Sequence, residues 1–220
     1  ESSIGLDQFC QTVKNSNVFE GEVLSNIFSI WGRKFYESGY SVMPVIAKNQ
    51  PIESGFQRFS KALPTEDEFQ RWENLNNSFN IGLVLGLNNL VCLDIDYDGE
   101  DRDAFLDGVK ALCPPIVVAK KGKKGLSIFF RGKMGGKKMT HSSYGKKPLV
   151  EVLSVGNYTI LPPSIHVDTK KPYSWEGQTD LLNVTPEDLP WLTDADVLNI
   201  EIFISDFMRE DEQTRGGRNI

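Results

Sequence analysis

The run Leu90-Val91-Cys92-Leu93-Asp94-Ile95-Asp96 closes an apolar, strand-forming stretch with two carboxylates two residues apart. Residues i and i+2 of a strand share a face, so Asp94 and Asp96 point the same way. Adjacent acids repel each other unless a cation lies between them, and an all-oxygen donor set suits Mg2+ or Mn2+. A pair of strand-end aspartates, with Asp98-Gly99 as the turn, is the other reading of the same residues. Glu151 lies inside Leu149-Val150-Glu151-Val152-Leu153, where a charge either meets a partner or faces water from the polar side of a half-exposed sheet. Asp94, Asp96 and Glu151 together would supply the carboxylates of two-metal phosphoryl transfer, one ion activating a 3′-hydroxyl and the other holding a triphosphate.

Positive charge lies between these acids in the sequence. From Lys120 to Lys147 there are nine Lys and Arg131 and no acid, a segment of +10 in a chain whose net charge is −6. The remainder carries −16. Such separation creates a focused positive field, although a lysine run can also be a merely solvated loop. Six glycines within the segment tilt the reading toward close backbone approach to phosphate. It is not a P-loop, because G-x-x-x-x-G-K-[ST] is absent. A strand over Leu126 to Arg131 lying beside the acids would set Lys123, Lys124, Ser127 and Arg131 where phosphates would be.

The elements that must position these residues can be read from periodicity. A short helix is expected around Ile4 to Val13, and Val23, Ile27, Ile30, Trp31 and Phe35 recur at helical spacing ahead of Gly39. A strand follows over Tyr40 to Ile46, then loop to Pro64, then a capping box, Thr65-Glu66-Asp67-Glu68, opening a helix with Phe69 and Trp72 on its apolar side. Ile81 to Leu85 and Leu90 to Asp96 read as a hairpin about Gly86-Leu87-Asn88-Asn89. Asp103 to Leu112 is a helix stopped by Pro114-Pro115. Further strands are expected over Ile116 to Ala119, Leu126 to Arg131, Leu149 to Leu153 and Tyr158 to Leu161, the last two joined by a turn at Gly156-Asn157, with a short strand near Pro172 to Trp175. A last helix spans Asp194 to Phe207, with Val197, Ile200, Ile202 and Phe203 toward the core.

Several pieces recur in a familiar order: Phe35-Tyr36-Glu37-Ser38-Gly39-Tyr40-Ser41-Val42-Met43-Pro44, then Trp72 ahead of Asn80-Ile81-Gly82-Leu83-Val84-Leu85-Gly86, then Leu93-Asp94-Ile95-Asp96. Val150-Glu151-Val152-Leu153, Leu161-Pro162-Pro163-Ser164-Ile165-His166 and Tyr173-Ser174-Trp175 complete it. From about Phe35 to Leu192 the chain resembles the N-terminal primase/polymerase (prim-pol) domain of bifunctional DNA primase/polymerases from phages and plasmids, in the archaeo-eukaryotic primase superfamily. The resemblance implies an α+β fold with an RRM-like mixed central sheet and a smaller N-terminal α/β portion. It implies that Asp94, Asp96 and Glu151 bind Mg2+ or Mn2+ for template-directed nucleotidyl transfer from (d)NTPs, with Lys123, Lys124, Ser127, Arg131 and His166 at the nucleotide. The family's middle motif carries a histidine in a stretch like G-G-x-H; here Ser127 stands in its place, and it brings no charge.

Around this assignment, Lys133, Lys137, Lys138, Tyr144, Lys146 and Lys147 on a 132–147 loop are expected to follow the single-stranded DNA template or primer, Tyr144 as a stacking surface. His166 contacts phosphate or sugar, or else caps its loop; His141 is a surface residue. Trp31, Trp72 and Trp175 belong to the core. The expected division is 1–20 N-terminal extension, 21–208 catalytic domain and 209–220 linker toward a helicase or helical domain. Glu1 in place of Met reads as the start of an excised piece. A catalytically weakened single-stranded-DNA-binding module of a primase-helicase and a metal-dependent nuclease are the rival readings. Composition is ordinary for a globular chain of 220 residues, 40% of them hydrophobic. Three well-separated cysteines and two histidines argue against a zinc or disulfide framework. The absence of a long apolar run or signal pattern reads as a soluble, intracellular protein without a membrane partner, and the resemblance to phage and plasmid proteins implies the bacterial host cytoplasm.

Overall fold

The computed structural model describes residues 27–47, 50–75, 79–123, 125–145 and 147–216. The helix expected around Ile4 to Val13, the first periodic residue Val23, Lys124 and Lys146 lie outside them. Four helices are described. Helix α1 is π-helical over Phe28–Gly32 and α-helical over Arg33–Glu37; α2 spans Glu66–Glu73, α3 Arg102–Ala111 and α4 Asp194–Gly216. The ten strands are β1 Val42–Ala47, β2 Gln50–Pro51, β3 Asn80–Val84, β4 Leu90–Ile95, β5 Ala119–Lys121, β6 Leu126–Arg131, β7 Lys137–Thr140, β8 Pro148–Leu153, β9 Tyr158–Leu161 and β10 Ser174–Glu176.

The strands form two sheets, β2-β1-β3-β9 and β10-β5-β6-β4-β8-β7. The α+β class expected from the sequence is the class observed. Its mixed character is slight: every ladder between these strands is antiparallel, and the parallel link is the isolated bridge between Arg131 and Trp191. The smaller sheet is built from the N-terminal portion plus β9, which returns from late in the chain.

Period-two alternation in β4 feeds two cores. Val91, Leu93 and Ile95 pack with Phe105, Val109, Val197 and Ile200 of α3 and α4. Leu90 and Cys92 face the other way, into the core shared with α1, α2 and the smaller sheet. Buried on both faces, the strand reads as a continuous apolar run, and the same alternation turns Asp94 toward the space between the sheets.

The hairpin expected between β3 and β4 does not form, and neither does the one between β8 and β9. β3 pairs with β1 and β9, whereas β4 pairs with β6 and β8. Each short turn is a crossover from one sheet to the other. The two crossovers lie together: Leu85 N donates to Asn157 O at 3.0 Å, and Gly156 N donates to Ser60 Oγ at 2.9 Å. Gly86 adopts φ +110, and a Cβ there would stand 2.8 Å from Val155 Cγ2, so close packing of the crossovers requires glycine.

Other differences are local. β7 lies within the stretch expected to be a 132–147 loop; its lysine-rich edge sequence buries only Met139 and has weak strand character, which suits an edge. β5 begins at Ala119, and Ile116 and Val117 are exposed rather than paired. Along α4 the buried positions are Val197, Ile200, Ile204 and Met208, the i, i+3, i+7, i+11 series, which leaves Ile202 outside it at 51% exposure. Ile30 is likewise off the buried face of α1. Helix α4 continues past Phe207 and through the first part of the segment expected to be a linker. No helix among the described residues is long and apolar enough to cross a membrane.

Candidate active site

One row of residues crosses the six-stranded sheet from edge to edge. Register pairs Trp175 with Lys120, Lys120 with Ser127, Ser127 with Asp94, Asp94 with Glu151, and Glu151 with Lys138. Partners in an antiparallel ladder have Cα atoms roughly 4.5 to 5.5 Å apart, so the Asp94 and Glu151 carboxylates project side by side. Asp96 follows β4, held by its backbone N donating to Leu149 O at 2.9 Å. All three acids line a cleft of about 460 Å³ between the inner face of the larger sheet and β9. That volume lies in the range of small-molecule sites.

Lysines balance the acids. Lys138 Nζ stands 3.3 Å from Glu151 Oε1, and Lys147 Nζ stands 3.3 Å from Asp96 Oδ2. Asp94 is served differently: Ser127 Oγ donates to Asp94 Oδ1 at 2.5 Å and accepts from Lys120 Nζ at 2.9 Å. Lys120 is 4% exposed, and its ammonium lies 5.2 Å from the centre of the Tyr173 ring. Burial, with Asp94 and Asp168 adding to it, pushes the Tyr173 phenol up to about 12, which keeps it protonated. Burial also raises the thiol of Cys92, with the Asp94 charge next in weight.

The far wall is more mixed. Phe56 and Tyr158 meet edge to face at 5.1 Å and line the cleft. His166 also lines it, its Nδ1 accepting from Asp168 N at 3.1 Å, which fixes the ring against the loop. That loop is anchored to β3, where Ile81 N donates to Ser164 Oγ at 2.8 Å and the Asn80 side chain bonds both N and O of Ile165. His166 orders its loop, as one of its two readings has it, and it also borders the cleft. Lys123 lines the cleft as well and stands 3.3 Å from Asp168 Oδ2.

Other expected site residues lie elsewhere. Arg131 shares the face of Ser127 but lies four residues along β6, roughly 13 Å away. Its guanidinium covers the Trp191 ring at 4.5 Å, and Lys133 Nζ is 5.8 Å from the same ring. Lys137 points to the opposite face of the sheet, 2.5 Å from Glu201 Oε2 on α4. Tyr144 packs on Tyr97 at 5.4 Å, and its hydroxyl bonds Asp98. Lys120, Tyr173 and Asp168 are cleft residues that sequence reasoning did not single out. For Lys120 a signal existed: it stands two residues after Val118 at the end of an apolar run, on the inward-facing parity.

The model of the bifunctional DNA primase/polymerase N-terminal domain family matches residues 33–191, well over half of the chain, and its span contains the whole row. The chain belongs to that family. No curated protein matches it. Membership of the prim-pol family implies DNA primase/polymerase activity in the broad sense, with DNA and nucleotides as substrates, and enzymes of the family are generally metal-dependent.

The donor chemistry of the prim-pol cleft fits a hard divalent cation: three carboxylates, two of them register partners, open to the same space. Among the described residues no three acids, histidines or cysteines are gathered closely enough to hold an ion as they stand. Each acid is instead turned to a lysine or to Ser127, which are the groups a cation would have to displace or join.

Proposed function

We propose that this domain performs template-directed nucleotidyl transfer, making or extending DNA primers from (d)NTPs with Mg2+ or Mn2+ held by Asp94, Asp96 and Glu151. The observation that carries this is the Asp94–Glu151 register pair opening, together with Asp96, into a nucleotide-sized cleft. Like charges directly opposite each other destabilise a sheet, and a cation bound between them would relieve that repulsion. In the reaction, a primer 3′-oxygen bonds to the α-phosphorus of a (d)NTP, the α–β phosphoanhydride bond breaks, and pyrophosphate leaves as the hydroxyl proton passes to solvent. The bound ions would lower the pKa of the attacking hydroxyl and neutralise the triphosphate. Lys123 and His166, which line the cleft, would orient the nucleotide, with Lys124 adding positive charge; Arg131 is engaged by Trp191 and Glu187 instead. Lys133, Lys138, Lys146, Lys147 and Tyr144 would hold the DNA strand through contacts that position it without reading sequence, whereas Lys137 is engaged by Glu201 on the other face.

On this reading residues 21–208 form the catalytic domain, acting in phage- or plasmid-type replication in a bacterial cytoplasm beside a helicase or helical region. The test is primer extension in Mn2+ by wild type and by Asp94→Ala, Asp96→Ala and Glu151→Ala, each verified as folded by circular dichroism. Wild type extends only when (d)NTPs are present, and each variant is slowed by more than about 100-fold, beyond the range typical of residues that only support a metal ligand. Extension by all three variants at the wild-type rate overturns the assignment of the acids. Shortening of the labelled strand without nucleotides establishes the nuclease instead, and salt-sensitive DNA binding without incorporation establishes the binding module.

A further inference from the structure

Ser127 has an unusual pair of partners. A hydroxyl between a buried ammonium and a carboxylate accepts from one and donates to the other, and Ser127 does this between Lys120 on β5 and Asp94 on β4. The Lys120 side chain is buried, and its ammonium is held at the Ser127 hydroxyl, 2.9 Å away. The Lys120 ammonium lies on the cleft wall shared with Asp94. Its own strand lies at the side of the acid row opposite Lys138, so the metal-site acids are flanked by cations on both sides.

The position is also the one a larger side chain on β6 would use. Neighbouring strands lie roughly 4.8 Å apart, and a lysine stem is longer than that, so Lys120 reaches across the small Ser127 into the space above β6. Lys120 Nζ lies 2.9 Å from Ser127 Oγ, so a longer side chain at 127 would crowd the ammonium. The serine and the lysine therefore form one device: the small residue makes room, and the charge comes from the next strand.

We infer that Lys120 is the cation that receives the phosphates of the incoming nucleotide, with Ser127 as the positioning residue that holds both Lys120 and Asp94. The inference rests on the nucleotidyl-transfer reading above and names the group that completes its nucleotide site. Lys120 supplies N–H donors and a full positive charge to a triphosphate, which Ser127 alone does not.

The experiment compares wild type with Lys120→Met, Lys120→Arg and the double variant Lys120→Met/Ser127→His, measuring both KM and kcat for dTTP in primer extension and the affinity for a fluorescent dTTP analogue without primer. Loss of a charge-assisted bond predicts a rise of roughly ten- to a hundredfold in KM and in the analogue's Kd for Lys120→Met. Single-stranded-DNA affinity, read by fluorescence anisotropy, stays at the wild-type level. Lys120→Arg keeps nucleotide affinity within a few-fold, which separates loss of charge from failure to fold. The double variant recovers part of the affinity and introduces a pH dependence near that of an imidazole. If wild type extends primers and Lys120→Met retains wild-type KM and analogue affinity, the inference fails while the nucleotidyl-transfer reading stands. If wild type neither extends primers nor binds the analogue, both fall.

Discussion

Asp94 faces Glu151 across the β4–β8 ladder, and the two acids stay together because Ser127, Lys138 and Lys120 surround them. The acids are legible in the sequence, since i, i+2 spacing and a charge inside an apolar run both carry a structural meaning. The role of Lys120 is less so: its parity with Val118 turns it inward, but whether a lysine so placed is buried depends on the sheet opposite it. Gly125 teaches the same lesson. Its place in a lysine-rich segment suggests approach to a ligand, yet a Cβ at this position would stand 1.6 Å from Ile95 O, so the close approach is to the end of β4 itself. Gly125→Ala must shift the strand that presents Asp94 and Asp96. It is expected to lower the unfolding free energy by about 1 to 3 kcal/mol, as overpacking does, and to reduce primer extension. An unchanged urea midpoint with full activity would contradict this placement.

At the scale of elements, helix starts and most strand identities were readable, β2 and β7 being expected as loop, and strand partners were not. The capping box at Thr65 forms as its residues dictate: Glu68 N donates to Thr65 Oγ1 at 3.2 Å and Thr65 N donates to Glu68 Oε2 at 2.8 Å. The short turns after β3 and β8 look like hairpin turns in sequence, but both flanking strands are apolar on two faces and are completed only by leaving for different sheets. Turn residues report a reversal, not the strand that will be found beside it. Thr65→Ala is expected to cost about 1 kcal/mol at neutral pH in denaturant unfolding. Hydrogen bonds from the Arg58 guanidinium and then Thr65 hold the Glu68 carboxyl below its ordinary 4.5. A depressed folded value means that Glu68 contributes stability above pH 4.5 and loses it as pH falls through the folded value. Glu68→Gln should flatten the stability profile below pH 4.5, and a profile parallel to wild type would show that the cap carries none of the acid sensitivity.

For the molecule as a whole, the net charge of −6 conceals its working arrangement. Antiparallel pairing folds the lysine segment onto the acids: β5 and β6 bring Lys120 and Ser127 to one side of Asp94, and β7 brings Lys138 to the other side of Glu151. The separation of charges along the chain thus becomes contact in space. Part of the segment serves the cleft, and part, including Lys137 and Arg131, binds to the protein's own helix and loop groups. On the proposed function, the cleft acids hold the divalent cation of the reaction. The most direct test of this is the titration of wild type and of Asp94→Asn/Glu151→Gln with Mn2+, free ion being followed by electron paramagnetic resonance. Wild type should withdraw Mn2+ from solution, and the double variant should bind it at least about tenfold more weakly while remaining folded. Equal Mn2+ binding by the two proteins would contradict the account.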